Sequence, residues 1–93
     1  MKSDVSQILD ILQEEAAECI QAVSKIRRFG WDNSHGDNPT NRIHLCEEIG
    51  DLEAMIQLLK DSGEISTVGV AHFKEAKLDK LRKWSTIESV KIH

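Results

Sequence analysis

Along the first third of the chain, apolar residues recur at Val5, Ile8, Leu9, Ile11, Leu12, Ala16, Cys19, Ile20, Val23 and Ile26, the three-and-four spacing that gives a helix an apolar face. Ser3 or Asp4 supplies a start signal, with Gln7 three residues after Asp4, and Arg27, Arg28 and Gly30 supply a stop. The spacing predicts one long helix of about 39 Å at ~1.5 Å per residue. Residues 30–38 are turn formers without periodicity and read as a surface loop. Asn38-Pro39 is expected to open a second helix, with Leu45, Ile49, Leu52, Met55, Ile56 and Leu59 as its stripe and Asp61-Ser62-Gly63 as its end. A third helix is expected from Ser66 or Thr67 through Val70, Phe73, Ala76, Leu78 and Leu81 to Trp84, with Gly69 weakening its start and no clear pattern beyond it.

The expected fold class is therefore all-α: a helical bundle of two long helices plus a third basic helix. A chain of this size buries only roughly 60–65% of its unfolded surface, which leaves parts of both wide apolar faces uncovered. Homo-oligomerisation, as a dimer or tetramer, is expected to complete the bundle; a three-helix monomer is the alternative.

Four acids fall where apolar residues belong. Stepping along the first helix gives Val5, Ile8, Leu12, Glu15, Cys19, Ala22 and Ile26, and along the second Leu45, Glu48, Leu52, Met55 and Leu59, so Glu15 and Glu48 interrupt the two rows. Glu18 and Asp51 follow them by three residues, close enough on a helix for each pair to reach one cation. Burying several like charges is costly unless protons or a cation compensate. An oxygen-only set of this kind suits Mg²⁺, or Mn²⁺ as a substitute, and does not suit zinc. An acidic motif on one helix is commonly just a solvated face; two pairs, each breaking an apolar row, favour a metal site. Glu14, Glu47 and Glu53 fall off the rows.

Composition narrows the function class. The 93 residues are 40% apolar and 30% charged, with a single proline, and are expected to form one domain over residues 1–93. No apolar run approaches the ~20 residues of a membrane span, and Met1-Lys2-Ser3-Asp4 lacks the layout of a signal peptide. Cys19 and Cys46 lie in apolar stretches rather than at disulfide or zinc spacings. A cytoplasmic location is expected, the host cytoplasm if the chain is phage-encoded. Residues 1–69 carry 6 basic and 13 acidic side chains, and residues 70–93 carry 6 and 3. An acidic body with no tyrosine argues against a nucleic-acid binder, and no P-loop, dinucleotide fingerprint or nucleophilic triad is present.

Glu14-Glu15-Ala16-Ala17-Glu18 followed by Glu48-Ile49-Gly50-Asp51 resembles the EExxE and ExxD signature of the MazG-type all-α nucleoside triphosphate pyrophosphohydrolases. The resemblance runs from about Leu12 to Leu59 and on to Lys80-Leu81-Arg82-Lys83-Trp84, and the small size is similar to that of compact, often phage-encoded members. It implies that Glu15, Glu18, Glu48 and Asp51 bind Mg²⁺, that an NTP or dNTP is cleaved to the monophosphate and pyrophosphate by water attack at the α-phosphorus, and that the active site lies where subunits meet. Glu14, Glu15 and Glu47 are then the candidate catalytic residues, Glu14 and Glu47 as helpers that orient or deprotonate the water. Lys77 and Lys80 of the third helix, with Lys25 and Arg28 of the first, are the candidate phosphate contacts. The related phosphoribosyl-ATP pyrophosphohydrolases share the scheme, and a dedicated dUTP or dCTP enzyme fits it too.

Trp31 is a candidate for stacking on a base, or for a staple that packs the loop onto the bundle. His44, four residues before Glu48, could join the metal site; His35, His72 and His93 have no partner spacing. The competing function class is a non-catalytic helical interaction module, an adaptor or antitoxin-like dimer whose acids meet a basic partner.

Overall fold

A computed structural model describes residues 3–92; Met1, Lys2 and His93 lie outside the described residues, and with them the reading of the first two positions as free of a leader and of His93 as unpartnered. Among the described residues the chain is all-helical, with α1 at Asp4–Phe29, α2 at Asn41–Asp61, α3 at Thr67–Trp84 and a short 3-10 helix at Glu88–Ile92, and it has no strand. It divides into two compact units, one up to Ser62 and one from Gly63 onward.

The first unit is an antiparallel α1–α2 hairpin. Ser3 caps α1, its hydroxyl accepting from the Ser6 amide at 3.2 Å. Arg27 and Arg28 sit in the last turn, where cations oppose the negative helix end. Gly30 then takes a positive φ of 89°, a conformation costly for any residue with a Cβ, and its amide donates to Ile26 O at 2.8 Å. The two rows read from the sequence face each other along the seam: Ala22 (1% exposed), Ile26, Glu48 and Leu59 are buried, and Val5, Ile8, Leu12, Glu15, Cys19, Leu45, Leu52 and Met55 are half-buried. The start of α1 meets the end of α2, where Ile8, Ile11, Met55 and Leu58 line one cavity.

The start of α2 differs from the expectation. Asn38-Pro39 does not open the helix; Thr40 caps it, with Oγ1 accepting from the Ile43 amide at 3.3 Å. The residue before a proline is driven away from the helical region, and Asn38 instead closes a turn onto His35 O at 3.0 Å, next to Gly36 at φ 58°. The first amides of α2, which have no partner within the helix, bind the loop: Asn41 N donates to Asn33 O at 2.9 Å and Arg42 N to Trp31 O at 2.8 Å. The Asn41 side-chain amide also donates to Gly30 O at 2.9 Å. The loop is thus pinned to both helices it connects.

In the second unit Ser66 caps α3, its hydroxyl accepting from the Gly69 amide at 2.9 Å. A Cβ on Gly69 would come within 3.2 Å of Ser66 Cβ, which accounts for a glycine inside the first turn. The stretch after Trp84, unassigned from the sequence, forms the 3-10 helix. Val90 is buried, and its carbonyl accepts from Arg82 Nε at 3.1 Å.

Candidate metal centre

The interrupted rows bring their acids together across the α1–α2 seam. One carboxylate oxygen each of Glu15, Glu48 and Asp51 lies within 4.8 Å of the other two. Glu18, one turn after Glu15, is within proton-sharing reach of both Glu15 and Glu48. Glu48 is only 6% exposed, Glu15 is half-buried, and Glu18 and Asp51 are at the open side. Three of the four sequence-predicted ligands, Glu15, Glu48 and Asp51, therefore converge across the seam, and Glu18 adds its charge to Glu15 and Glu48.

The electrostatics are those of a cluster with too much negative charge. The proton shared with Glu18, followed by burial and then by the charges of Glu18, Asp51 and Glu15, pushes the Glu48 carboxyl up to about 7. Burial, and then the charges of Glu18 and Asp51, raise Glu15 as well. Glu15 Oε2 and Glu48 Oε2 are buried without any hydrogen-bond donor. A buried carboxylate oxygen with no donor is expensive, and a hard divalent cation is the ligand that an all-oxygen set satisfies. The donor set and its two orphaned oxygens fit Mg²⁺ or Mn²⁺.

Two further groups touch the cluster. The Cys19 thiol donates to the Glu48 carbonyl at 3.3 Å, tying α1 to α2 beside the acids. Burial, and then the charge of Glu48, raise the Cys19 pKa, which keeps the thiol protonated and available as a donor. In the sequence the only signal of this contact is the place of Cys19 in the apolar row, next to Glu18. His44 Nε2 lies 3.6 Å from Glu48 Oε1, as its four-residue spacing allows.

The remaining candidates distribute as follows. Glu14 and Glu47 are exposed and lie off the seam, Glu14 contributing charge to Glu15. Lys25 and Arg28 are exposed on the last turns of α1 and line a cavity with His35 and Asn41. The Trp31 ring is covered by the Arg42 guanidinium at 4.9 Å, and Arg42 is itself held by Asp32 at 3.2 Å. Trp31 lines a different cavity, with Val23, Ile26, Arg27 and Leu45, none of them acidic. Lys77 and Lys80 are exposed on α3 in the second unit. His35, without a partner spacing in the sequence, stacks edge-on against Phe29 at 6.5 Å; its place follows from the folding of the loop, for which the sequence carries no periodic signal.

No family model, curated protein or solved structure matches the chain.

Proposed function

We propose that the protein is a Mg²⁺-dependent nucleoside triphosphate pyrophosphohydrolase of the MazG type, converting an NTP or dNTP and water to the monophosphate and pyrophosphate. The observation that carries this reading is the cluster of Glu15, Glu48 and Asp51, built from two helices, with two buried, donor-less oxygens. Glu15, Glu18, Glu48 and Asp51 would hold the cation. When bound, it would neutralise the triphosphate and lower the pKa of a water.

A water oxygen would form the new bond to the α-phosphorus as the bond to the bridging oxygen breaks, and the bridging oxygen would leave with pyrophosphate. Such a displacement depends on alignment and charge stabilisation rather than on a protein nucleophile. Glu48, with a pKa near 7, is suited to hold or release a proton near neutrality. Glu14 and Glu47 remain candidates for orienting the water, from the exposed flanks of the cluster.

Self-association of the chain belongs to the same proposal. Leu9, Ile20, Val23 and Ile49 are exposed, Ile20 to 71%, which supports a homo-oligomer. The same residues also favour the second reading, a non-catalytic module that binds another helix.

Pyrophosphate release from a panel of eight NTPs and dNTPs in Mg²⁺, with the monophosphate identified, tests the proposal. Release from any member is expected. A panel with no release, together with a melting temperature unmoved by Mg²⁺ and a non-hydrolysable dNTP, leaves the module; ligand at 100 times Kd should otherwise stabilise by about 2.7 kcal/mol.

A further inference from the structure

The second unit is short of a core. Among its described residues Val90 is buried, and no residue of α3 is; a unit of about 30 residues rarely holds its fold without a partner surface. The 3-10 helix is tied to Arg82, which is nine residues after Phe73 and so ~180° around α3 from it. On the side away from that tie, Phe73, Lys77, Lys80 and Trp84 form one row at helical spacing, all four exposed, Phe73 to 71% and Trp84 to 86%. An aromatic at each end and two lysines between them make a face that calls for apolar contacts roughly 16 Å apart with negative charge in the middle.

The apolar edge of the α1–α2 hairpin has that pattern. Leu9 and Ile20, 48% and 71% exposed, stand at the same separation in one row as Phe73 and Trp84, with Gln13 and Ala16 between them. Ile49 continues the edge on α2, and Glu53, also exposed, follows it by one turn. Because Cys19 bonds to the Glu48 carbonyl across the antiparallel seam, Glu53 comes level with Glu14, between Gln13 and Ala16. Charge also gives the direction. The first turn of α1 carries Asp4 and its last turn Arg27 and Arg28, while the last turn of α3 carries Arg82 and Lys83, so the end of α3 belongs over the start of α1.

We propose that α3 docks on the apolar edge of the hairpin of a second copy, antiparallel to α1, with Trp84 against Leu9, Phe73 against Ile20 and the two lysines astride Glu53. Residues 1–62 carry 6 basic and 12 acidic side chains and residues 63–93 carry 6 and 4, so the two surfaces attract. Each copy gives one α3 and receives one, which closes the assembly as a two-fold pair. Aromatic side chains bury ~150–250 Å² each, so four of them with an equal area beneath reach the roughly 1,200–2,000 Å² of a stable interface. The inference rests on the self-association proposed above and not on the hydrolase reading. It gives Lys77 and Lys80 a protein surface to bind in place of a phosphate.

Sedimentation of the full chain across concentrations, with Trp84 emission read in a Trp31→Phe background, tests this. The emission should shift to the blue as the dimer forms, and Phe73→Glu or Trp84→Glu should leave a monomer. Lys80→Glu and Glu53→Lys should each raise the dimer Kd about ten- to hundredfold, because like charges then meet. The two together should restore most of the affinity, which loss of folding in either variant could not do.

A blue-shifted emission independent of concentration, in a chain that sediments as a monomer, would put α3 on its own hairpin and overturn the proposal. A shift that requires phosphatidylserine vesicles would put it on a lipid surface and overturn it equally. A dimer lost in Ile20→Glu but kept in both Phe73→Glu and Trp84→Glu removes α3 from the interface while self-association stands. A wild-type chain monomeric throughout removes both, and pyrophosphate release from the nucleotide panel is read independently of either.

Discussion

The two edges of the α1–α2 hairpin flank the same seam and differ in almost everything else. On one edge, Asp51 and His44 stand beside the half-buried Glu15 and the buried Glu48, and like charges are held within a few ångströms. On the other, Leu9, Ile20, Val23 and Ile49 stand exposed, and a cavity near its loop end is lined by Val23, Ile26, Arg27, Trp31 and Leu45. Each edge carries an unmet requirement: the first has two buried carboxylate oxygens without a donor, and the second has apolar side chains without cover. A helix hairpin can satisfy its seam by itself, but the first edge calls for a ligand and the second for another protein surface. The acidic and the apolar edges lie on opposite flanks of the seam, so a substitution on one should leave the other intact.

The largest effect is expected on the acidic edge. Glu48→Gln or Asp51→Asn should lower pyrophosphate release by on the order of 10²–10³-fold or more, as removal of a charge-stabilising group does, while the metal-free melting temperature rises because a repulsive charge is gone. Turnover retained in both purified variants would remove the cluster from the mechanism. On the apolar edge, Ile20→Glu with Val23→Glu should convert an oligomer into a monomer of 10.5 kDa in sedimentation, with Mg²⁺ binding to each chain retained. A wild-type protein already monomeric at micromolar concentration would contradict the assembly reading.

A third contrast is in pH. Glu48 sits near 7 in the folded chain against an ordinary value of 4.5, and Glu15 is raised in the same direction. The native state therefore binds more protons than the unfolded chain, so the stabilisation is complete below about pH 4.5 and is lost as pH rises through about 7. Without divalent cations the melting temperature should fall between pH 5 and pH 8. Saturating Mg²⁺ should flatten that slope, and so should Glu48→Gln, whereas Val23→Glu should leave it in place.

The central rows were readable because burial follows the helical period. The spacing over Val5 to Ile26 and Leu45 to Leu59 places one acid in each row, Glu15 and Glu48, and pairs each with the acid three residues on; the meeting of Glu15, Glu48 and Asp51 across the seam is seen only in the structure. The flanks were less accessible, since which side of each row stays open depends on how one helix is rotated against the other. The sequence could thus nominate Lys25 and Trp31 equally, whereas the structure puts them in separate cavities. His35 has no signal because the 30–40 loop is organised largely by backbone hydrogen bonds to the first turn of α2, whereas the Thr40 cap, a side-chain contact, competes in the sequence with the equally good start signal Asn38-Pro39. The 3-10 helix after Trp84 is held partly through a main-chain carbonyl, Val90 O to Arg82, which is equally silent in a pattern of side chains.

The smallest effect separates the seam from both edges. Cys19 donates its thiol to the Glu48 carbonyl, so Cys19→Ala removes one hydrogen bond and a small buried volume at the point where the acidic row crosses to α2. A loss of about 1 kcal/mol in denaturant unfolding is expected, with Cys19→Ser losing less because a donor remains. The same contact predicts selectivity toward alkylation. Cys19 is half-buried and its thiol is held protonated by burial and by the neighbouring carboxylates, whereas Cys46 is exposed. Thiolate is the reactive form, so iodoacetamide should label Cys46 well before Cys19 by mass spectrometry, and Glu48→Gln, which removes one of the charges that raise Cys19, should narrow the gap. Equal labelling in the wild-type chain would mean that the seam opens at Cys19 and that the acids beside it are wetter than the packing of the two rows implies.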